Sequence, residues 1–226
     1  MKLTYFGHAC FTVEAAGKTL LFDPFIRPNP LAGSIDPAQI KADAILVSHG
    51  HFDHLSEAVE IARRTGSTIV SNYEVAEWLT KQGAPKVHGM NLGGAWRFDF
   101  GRVKFVVAQH SSSLPEGANG GNPGGFVVET AEGNFYYAGD TALTYDMKLI
   151  GEATALNFAV LPIGDNFTMG VDDAIKAAEF VRCTKVVGVH FDTFPPIAID
   201  QAEAVRKFQA AGKELVLVPI GGSVSL

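Results

Sequence analysis

Ser48-His49-Gly50-His51-Phe52-Asp53-His54 places three imidazoles and a carboxylate within six positions, His49 to His54. Neutral imidazole and carboxylate are the usual protein donors to catalytic zinc and related divalent ions. The run follows Ala44-Ile45-Leu46-Val47, which reads as a short buried strand. On a turn leaving that strand, His49 and His51 can point to one side while Asp53 and His54 turn to another. That split suits two adjacent metal ions. The plain alternative is a polar turn with solvated histidines, and the density of donor types at a strand end speaks against it. His8 stands alone between Gly7 and Cys10. A lone histidine there reads first as a structural residue. His88 belongs to no motif. Cys10 and Cys183 have neither an evident Cys partner nor a helix N-terminus, so they read as buried structural thiols.

The elements that must position these residues occur twice. Phe11-Thr12-Val13-Glu14 leads through a Gly-containing turn to Leu20-Leu21-Phe22-Asp23, and Phe126-Val127-Val128-Glu129 leads likewise to Phe135-Tyr136-Tyr137 and then Asp140. Both read as β-hairpins. The histidine loop has a counterpart in Ile163-Gly164-Asp165-Asn166, after Ala159-Val160-Leu161. Helical spacing follows each loop, with Ala58, Ile61 and Ala62 in the first case and Ala174, Ala177, Ala178 and Val181 in the second. A strand, a second helix, a further strand and a Gly pair close each half, at Gly93-Gly94 and Gly221-Gly222. The chain is therefore expected to be one domain over 1–226 built from two similar halves, about 1–95 and 96–226. Two facing sheets with helices outside would bring the loops together along one edge. Asp165, Asn166 and Thr168 should then face the cleft as substrate-binding residues. Their simpler role is to hold the turn. Residues 111–125 are rich in Ser and Gly and have neither period, so they read as a loop, expected to be a mobile lid over the site.

The histidine run resembles the HxHxDH signature of the metallo-β-lactamase superfamily, and the similarity extends over essentially the whole chain. Gly7-His8-Ala9-Cys10-Phe11 and the stretch from Pro162 to Met169 look like compact bacterial metal-dependent hydrolases related to the ascorbate-6-phosphate lactonases. The resemblance implies an α/β fold, a four-layer αββα sandwich with internal duplication. It implies that His49, His51 and His110 hold one metal, that Asp53, His54 and His190 hold a second, and that Asp140 bridges them. It implies a hydrolase in which a metal-bridging hydroxide cleaves a small ester, lactone or phosphodiester. Asp53 would also orient the nucleophile or shuttle protons, and His8 gains a catalytic place at the metal edge as ligand or acid. Asp23 would be an outer acceptor that fixes a ligand histidine, or else a turn residue before Pro24. Two divalent ions are implied, zinc foremost, with manganese, nickel and iron accepting the same donors.

Competing readings keep the metal and change the chemistry. A mononuclear-iron oxygenase can share the His-rich motif. Diiron oxygen-reducing relatives generally carry Glu where this chain has His51. A non-catalytic metal-binding module would lack a ligand, and none is missing. At 47% hydrophobic the 226 residues can bury a real core, which excludes a disordered chain. No apolar run is long enough to span a membrane, and two cysteines fit a reducing, cytoplasmic setting. A net charge of −6 speaks against broad nucleic-acid binding and leaves a small molecule as the expected partner. The sequence leaves open whether the chain forms a homo-oligomer.

Overall fold

Alternation along the hairpins sorts side chains onto two faces. Phe11, Val13, Leu20 and Phe22 point one way while Cys10 and Leu21 point the other, and each set joins a different buried cluster. The computed structural model describes all 226 residues. Strands β1 (Lys2–Gly7), β2 (Cys10–Ala15) and β3 (Lys18–Phe22) pair antiparallel. Strands β4 (Ala44–Leu46), β5 (Thr68–Asn72) and β6 (Val87–Met90) then add in parallel to β3. The second sheet repeats this pattern. It has antiparallel β7 (Ala95–Phe98), β8 (Gly101–Val107), β9 (Gly124–Thr130) and β10 (Gly133–Tyr137), followed by parallel β11 (Phe158–Pro162), β12 (Lys185–Val189) and β13 (Glu214–Val216).

The last strand, β14 (Ser223–Ser225), does not stay with the second half. It pairs antiparallel with β1 at the edge of the first sheet. Strand β7 does the reciprocal thing, pairing with β8 in the second sheet just after Gly93-Gly94. The strand following each Gly pair therefore pairs in the sheet other than that of the strand before it.

Helices α1 (Phe52–Leu55), α2 (Ala58–Thr65) and α3 (Tyr73–Lys81) lie on the first half, and α4 (Asp146–Ala153), α5 (Val171–Phe180) and α6 (Gln201–Ala210) on the second. Ala58, Ile61 and Ala62 of α2 bury against the outer face of the first sheet, and Ala174, Ala177 and Ala178 of α5 against that of the second. Between the sheets lies an aromatic core. Phe11 stacks on Phe22 at 4.6 Å and meets Tyr137 edge-on at 5.1 Å, while Phe22 meets Phe135 of the other sheet at 5.8 Å. The architecture is the four-layer αββα sandwich of the metallo-β-lactamase fold. The parallel strands of both sheets end on one edge, where the loops carrying polar residues gather. No helix is long and apolar enough to cross a membrane.

Candidate metal centre

Two groups of ligand atoms face each other on that edge. His49, His51 and His110 form one, with ligand atoms within 4.8 Å of one another. His8, Asp53, His54 and His190 form the other under the same limit. Asp140 lies between them. Its Oδ2 is 3.2 Å from His54 Nε2, 3.0 Å from His190 Nε2 and 3.6 Å from His110 Nε2. The seven residues expected as ligands thus converge, although they come from four separate segments.

The backbone that delivers them is unusual. His8, Asp23 and His190 take positive φ of 56°, 39° and 57°, rare for residues with a Cβ and typical of sites where the surroundings impose the conformation. The His190 N–H donates to the His8 carbonyl at 2.7 Å, tying the two halves at this point. Asp140 needs Gly139 before it. At φ +63° a Cβ there would lie 2.7 Å from the Gly124 carbonyl oxygen and 2.9 Å from Ser48 Cβ.

Hydrogen bonds behind the ligands set their tautomers. Asp23 is fully buried and accepts from Ser48 N–H at 2.7 Å, Ser48 Oγ at 2.6 Å, His54 Nδ1 at 2.8 Å and Tyr137 Oη at 2.5 Å. His54 must therefore present Nε2 to the centre. Ser48 gives its only proton to Asp23, so it accepts from His49 Nδ1 at 2.9 Å, which leaves Nε2 of His49 as a lone pair. That nitrogen faces His51 Nδ1 at 2.9 Å, while His51 Nε2 has Ser111 Oγ at 3.3 Å. Asp23, expected as an outer acceptor, accepts one of these bonds from His54, whose other ring nitrogen faces Asp140. The supporting roles of Ser48, Ser111 and Tyr137, and of Thr193, whose Oγ lies 3.0 Å from His8 Nδ1, were not read from the sequence. Only Tyr137 had a visible signal, an aromatic ending an inward-facing alternation three residues before Asp140.

Charge and hydrogen-bond accounting fit a divalent centre. Asp23, Asp53 and Asp140 all bear on His54, and no Lys or Arg pairs with any of them. His54 Nε2 and Asp140 Oδ1 are buried without a hydrogen-bond partner, which is costly unless a cation meets them. Burial pushes His49 well below its ordinary pKa and lowers His51 and His110 too, which keeps these imidazoles in the neutral, ligating form. Burial would raise Asp140, yet His190 and His54 hold it well below the carboxylate range. Burial would lower His54, but Asp140, Asp53 and Asp23 hold it well above its ordinary value.

Two expectations change. The 111–125 segment is pinned, not loosely tethered. Asn72 Nδ2 donates to the carbonyls of Gly120 at 2.7 Å and Asn122 at 2.9 Å, Gly50 N–H donates to Ser112 Oγ at 3.0 Å, and Leu114 is buried in the first half's helix-side core. Its polar groups find partners in its own turns and in neighbouring loops, so it forms a wall. Asp165 and Asn166 sit in a tight turn with φ of 61° and 55°, where Asp165 Oδ1 accepts from Asn166 N–H at 2.8 Å. They line a cavity of about 470 Å³ that contains none of the metal-group residues. Thr168 Oγ bonds the Met169 carbonyl. The base of this loop still abuts the centre, because a Cβ on Gly164 would overlap the His190 carbonyl and Met169 N–H donates to Thr141 O at 2.9 Å.

Such a sandwich, with two histidine-rich groups sharing one aspartate at its strand-end edge, defines a metallo-β-lactamase-fold protein. Residues 18–191 match the family described as beta-lactamase superfamily domain. A UPF0173 metal-dependent hydrolase of Flavobacterium johnsoniae is 53% identical over 100% of both chains, and one of Methylacidiphilum infernorum is 55% identical over 92% of each. The chain belongs to the UPF0173 family of metal-dependent hydrolases within the beta-lactamase superfamily. Among solved structures, Igni18, a metallo hydrolase from the archaeon Ignicoccus hospitalis, superposes with a TM-score of 0.89 at 35% identity, over 99% of this chain and 97% of that one. An isothiocyanate hydrolase from Delia radicum gut bacteria shares the fold at 21% identity and a TM-score of 0.81, over 100% and 99% of the two chains.

Proposed function

We propose that this protein is a hydrolase with two divalent metals, acting on a small ester, lactone or phosphodiester. The observation that carries this reading is Asp140 Oδ2, within 3.6 Å of a histidine from each ligand group. His49, His51 and His110 would hold one ion, Asp53, His54 and His190 the other, and Asp140 both. Bound there, such ions supply Lewis-acid polarisation and an activated water.

The remaining steps belong to the chain's own residues. Burial pushes His8 down to about 4, so it is neutral and carries one proton. Its Nε2 lies 3.0 Å from Asp53 Oδ2 and its Nδ1 lies 3.0 Å from Thr193 Oγ. A neutral His8 donates from Nε2 to Asp53 and accepts at Nδ1 from Thr193. Held this way, His8 fixes the Asp53 carboxylate beside the ligand group and acts as a positioning residue. Asp23 and Ser48 keep His54 and His49 in their ligating tautomers. Asp165, Asn166 and Thr168, on a loop whose base abuts His190, would touch only a substrate long enough to reach past the metal groups.

Metal quantification on the purified protein tests this, followed by a hydrolase panel with the metal restored. Two equivalents per chain and hydrolysis that tracks them are expected. Full turnover at one equivalent would sink the dinuclear reading, and oxygen consumption without hydrolysis would sink the hydrolytic one.

A further inference from the structure

Segments 23–36, 47–57, 108–123, 138–145, 163–170 and 190–200 leave the edge where the ligands converge. Together they contain no lysine and one arginine, Arg27. Both its Nη atoms are committed to Glu60, at 2.5 and 2.6 Å. A phosphate or carboxylate on the non-reacting part of a substrate would find no free cation on these loops. It would lose hydration without a charge-assisted hydrogen bond in return. The chain's net charge of −6 would also oppose its approach.

Apolar surface is concentrated on the same edge. Of the seven large apolar side chains that stand exposed, four (Leu31, Phe52, Tyr145 and Phe167) lie on these segments. Isolated exposed apolar residues are ordinary, so the one that matters is the one set among the ligand residues. Phe52 is 53% exposed although it sits in the chain between two ligands, His51 and Asp53. Its ring meets Phe25 edge-on at 6.1 Å, and Phe25 lies 6.4 Å from Phe194. Phe25 and Phe194 in turn pack on His8 at 5.4 and 5.6 Å. The three rings form a wall beside the His8–Asp53 pair. Beyond Phe52 the surface falls into a groove of about 820 Å³, lined on its apolar side by Leu55, Val59, Trp78 and Pro115. Arg63 and Arg64, also in that groove, donate to the backbone carbonyls of Gly83, Gln82, Pro37 and Ile40.

We propose that the part of the substrate outside the scissile bond is an uncharged, apolar acyl or aryl arm, which packs on the wall that ends in Phe52. This rests on the hydrolytic reading and narrows it. Displacement of water from exposed aromatic surface would drive binding of the arm, so affinity should grow with its length.

Three p-nitrophenyl esters separate length from charge in the metal-loaded, full-length protein: the acetate, the hexanoate, and the half ester of adipic acid, which replaces the hexanoate methyl by a carboxylate. The hexanoate should exceed both others at least ten-fold in kcat/KM. Phe52→Ala should cut the hexanoate-to-acetate ratio at least five-fold at unchanged metal content, and Phe52→Leu should retain most of it. An adipate half ester cleaved as well as the hexanoate, or a ratio indifferent to Phe52→Ala, would overturn the proposal. Should no ester and no bis-p-nitrophenyl phosphate be cleaved, the hydrolytic reading fails by itself. Calorimetric binding of hexanamide against adipamic acid then decides the arm. Tighter hexanamide supports it, and equal or tighter adipamic acid overturns it.

Discussion

Four donors converge on the single carboxylate of Asp23, and one of them, Tyr137 Oη, can be removed with little change of shape. Tyr137→Phe should leave the fold intact and weaken metal binding about ten-fold, because partners behind a ligand typically contribute 10–100-fold to affinity. Metal titration of the variant checks this, and unchanged affinity would mean that Tyr137 merely fills the core. Asp140→Ala is expected to be more severe. It removes the one group that touches both ligand sets, so excess metal should fail to restore turnover, and restoration would refute the bridging role. His8 makes a pH-dependent contribution. Its pKa falls from an ordinary 6.5 to about 4 on folding, chiefly through burial. The unfolded chain therefore takes up the proton first. The stability His8 provides is fully present above pH 6.5 and is lost as pH falls toward 4, at about 1 kcal/mol per pH unit. Metal-free protein should thus lose more melting temperature over that window than metal-free His8→Gln. Parallel curves would contradict the assignment.

Loops hold the site because elements hold the loops. Asn72 ends β5, caps α3 by accepting from Val75 N–H at 2.8 Å, and donates twice into the 111–125 segment. Asn72→Ala should cost about 1–2 kcal/mol from the lost cap and the orphaned carbonyls. It should also open residues 116–122 to proteolysis, and a cleavage pattern like that of the wild type would show that Leu114 alone anchors the wall. Glu57 does similar work after β3. Its carboxylate accepts from Ile26 N–H at 2.8 Å and Arg27 N–H at 3.2 Å, fixing the chain just beyond Asp23 and Phe25. The histidine run, its strand and the hairpin repeat were all legible in the sequence, because donor density and period-2 alternation are local properties. The pinned state of residues 111–125 was not. Its partners Asn72, Gly50 and Trp78, whose Nε1–H donates to Glu116 at 2.6 Å, lie far from it in sequence, and composition records only that the segment lacks a period.

At the scale of the molecule, β14 comes from the C-terminal end of the chain yet completes the edge of the first sheet. Removing residues 223–226 should strip β1 of its edge partner and cost about 2 kcal/mol through lost ladder bonds. Because β1 leads directly into His8, metal affinity at the Asp53–His54–His190 group should fall with it. A truncated protein with unchanged melting temperature and metal content would show that β14 only covers an edge.

The sequence by itself determined the fold class and the donor types, since these depend on local alternation, helical spacing and residue chemistry. It also held the family signature on which the expected ligand set rested. Tertiary structure alone decided how those donors meet. The Nε2 of His54 faces the centre because Tyr137 and Ser48 hold Asp23 in place. His8 reaches Asp53 because two left-handed backbone turns join β1 to β12. Phe52 rests on Phe25, from a distant loop, which is itself backed by Phe194. Each of these is a contact between residues far apart in the chain, and its energy depends on a position that no local pattern encodes.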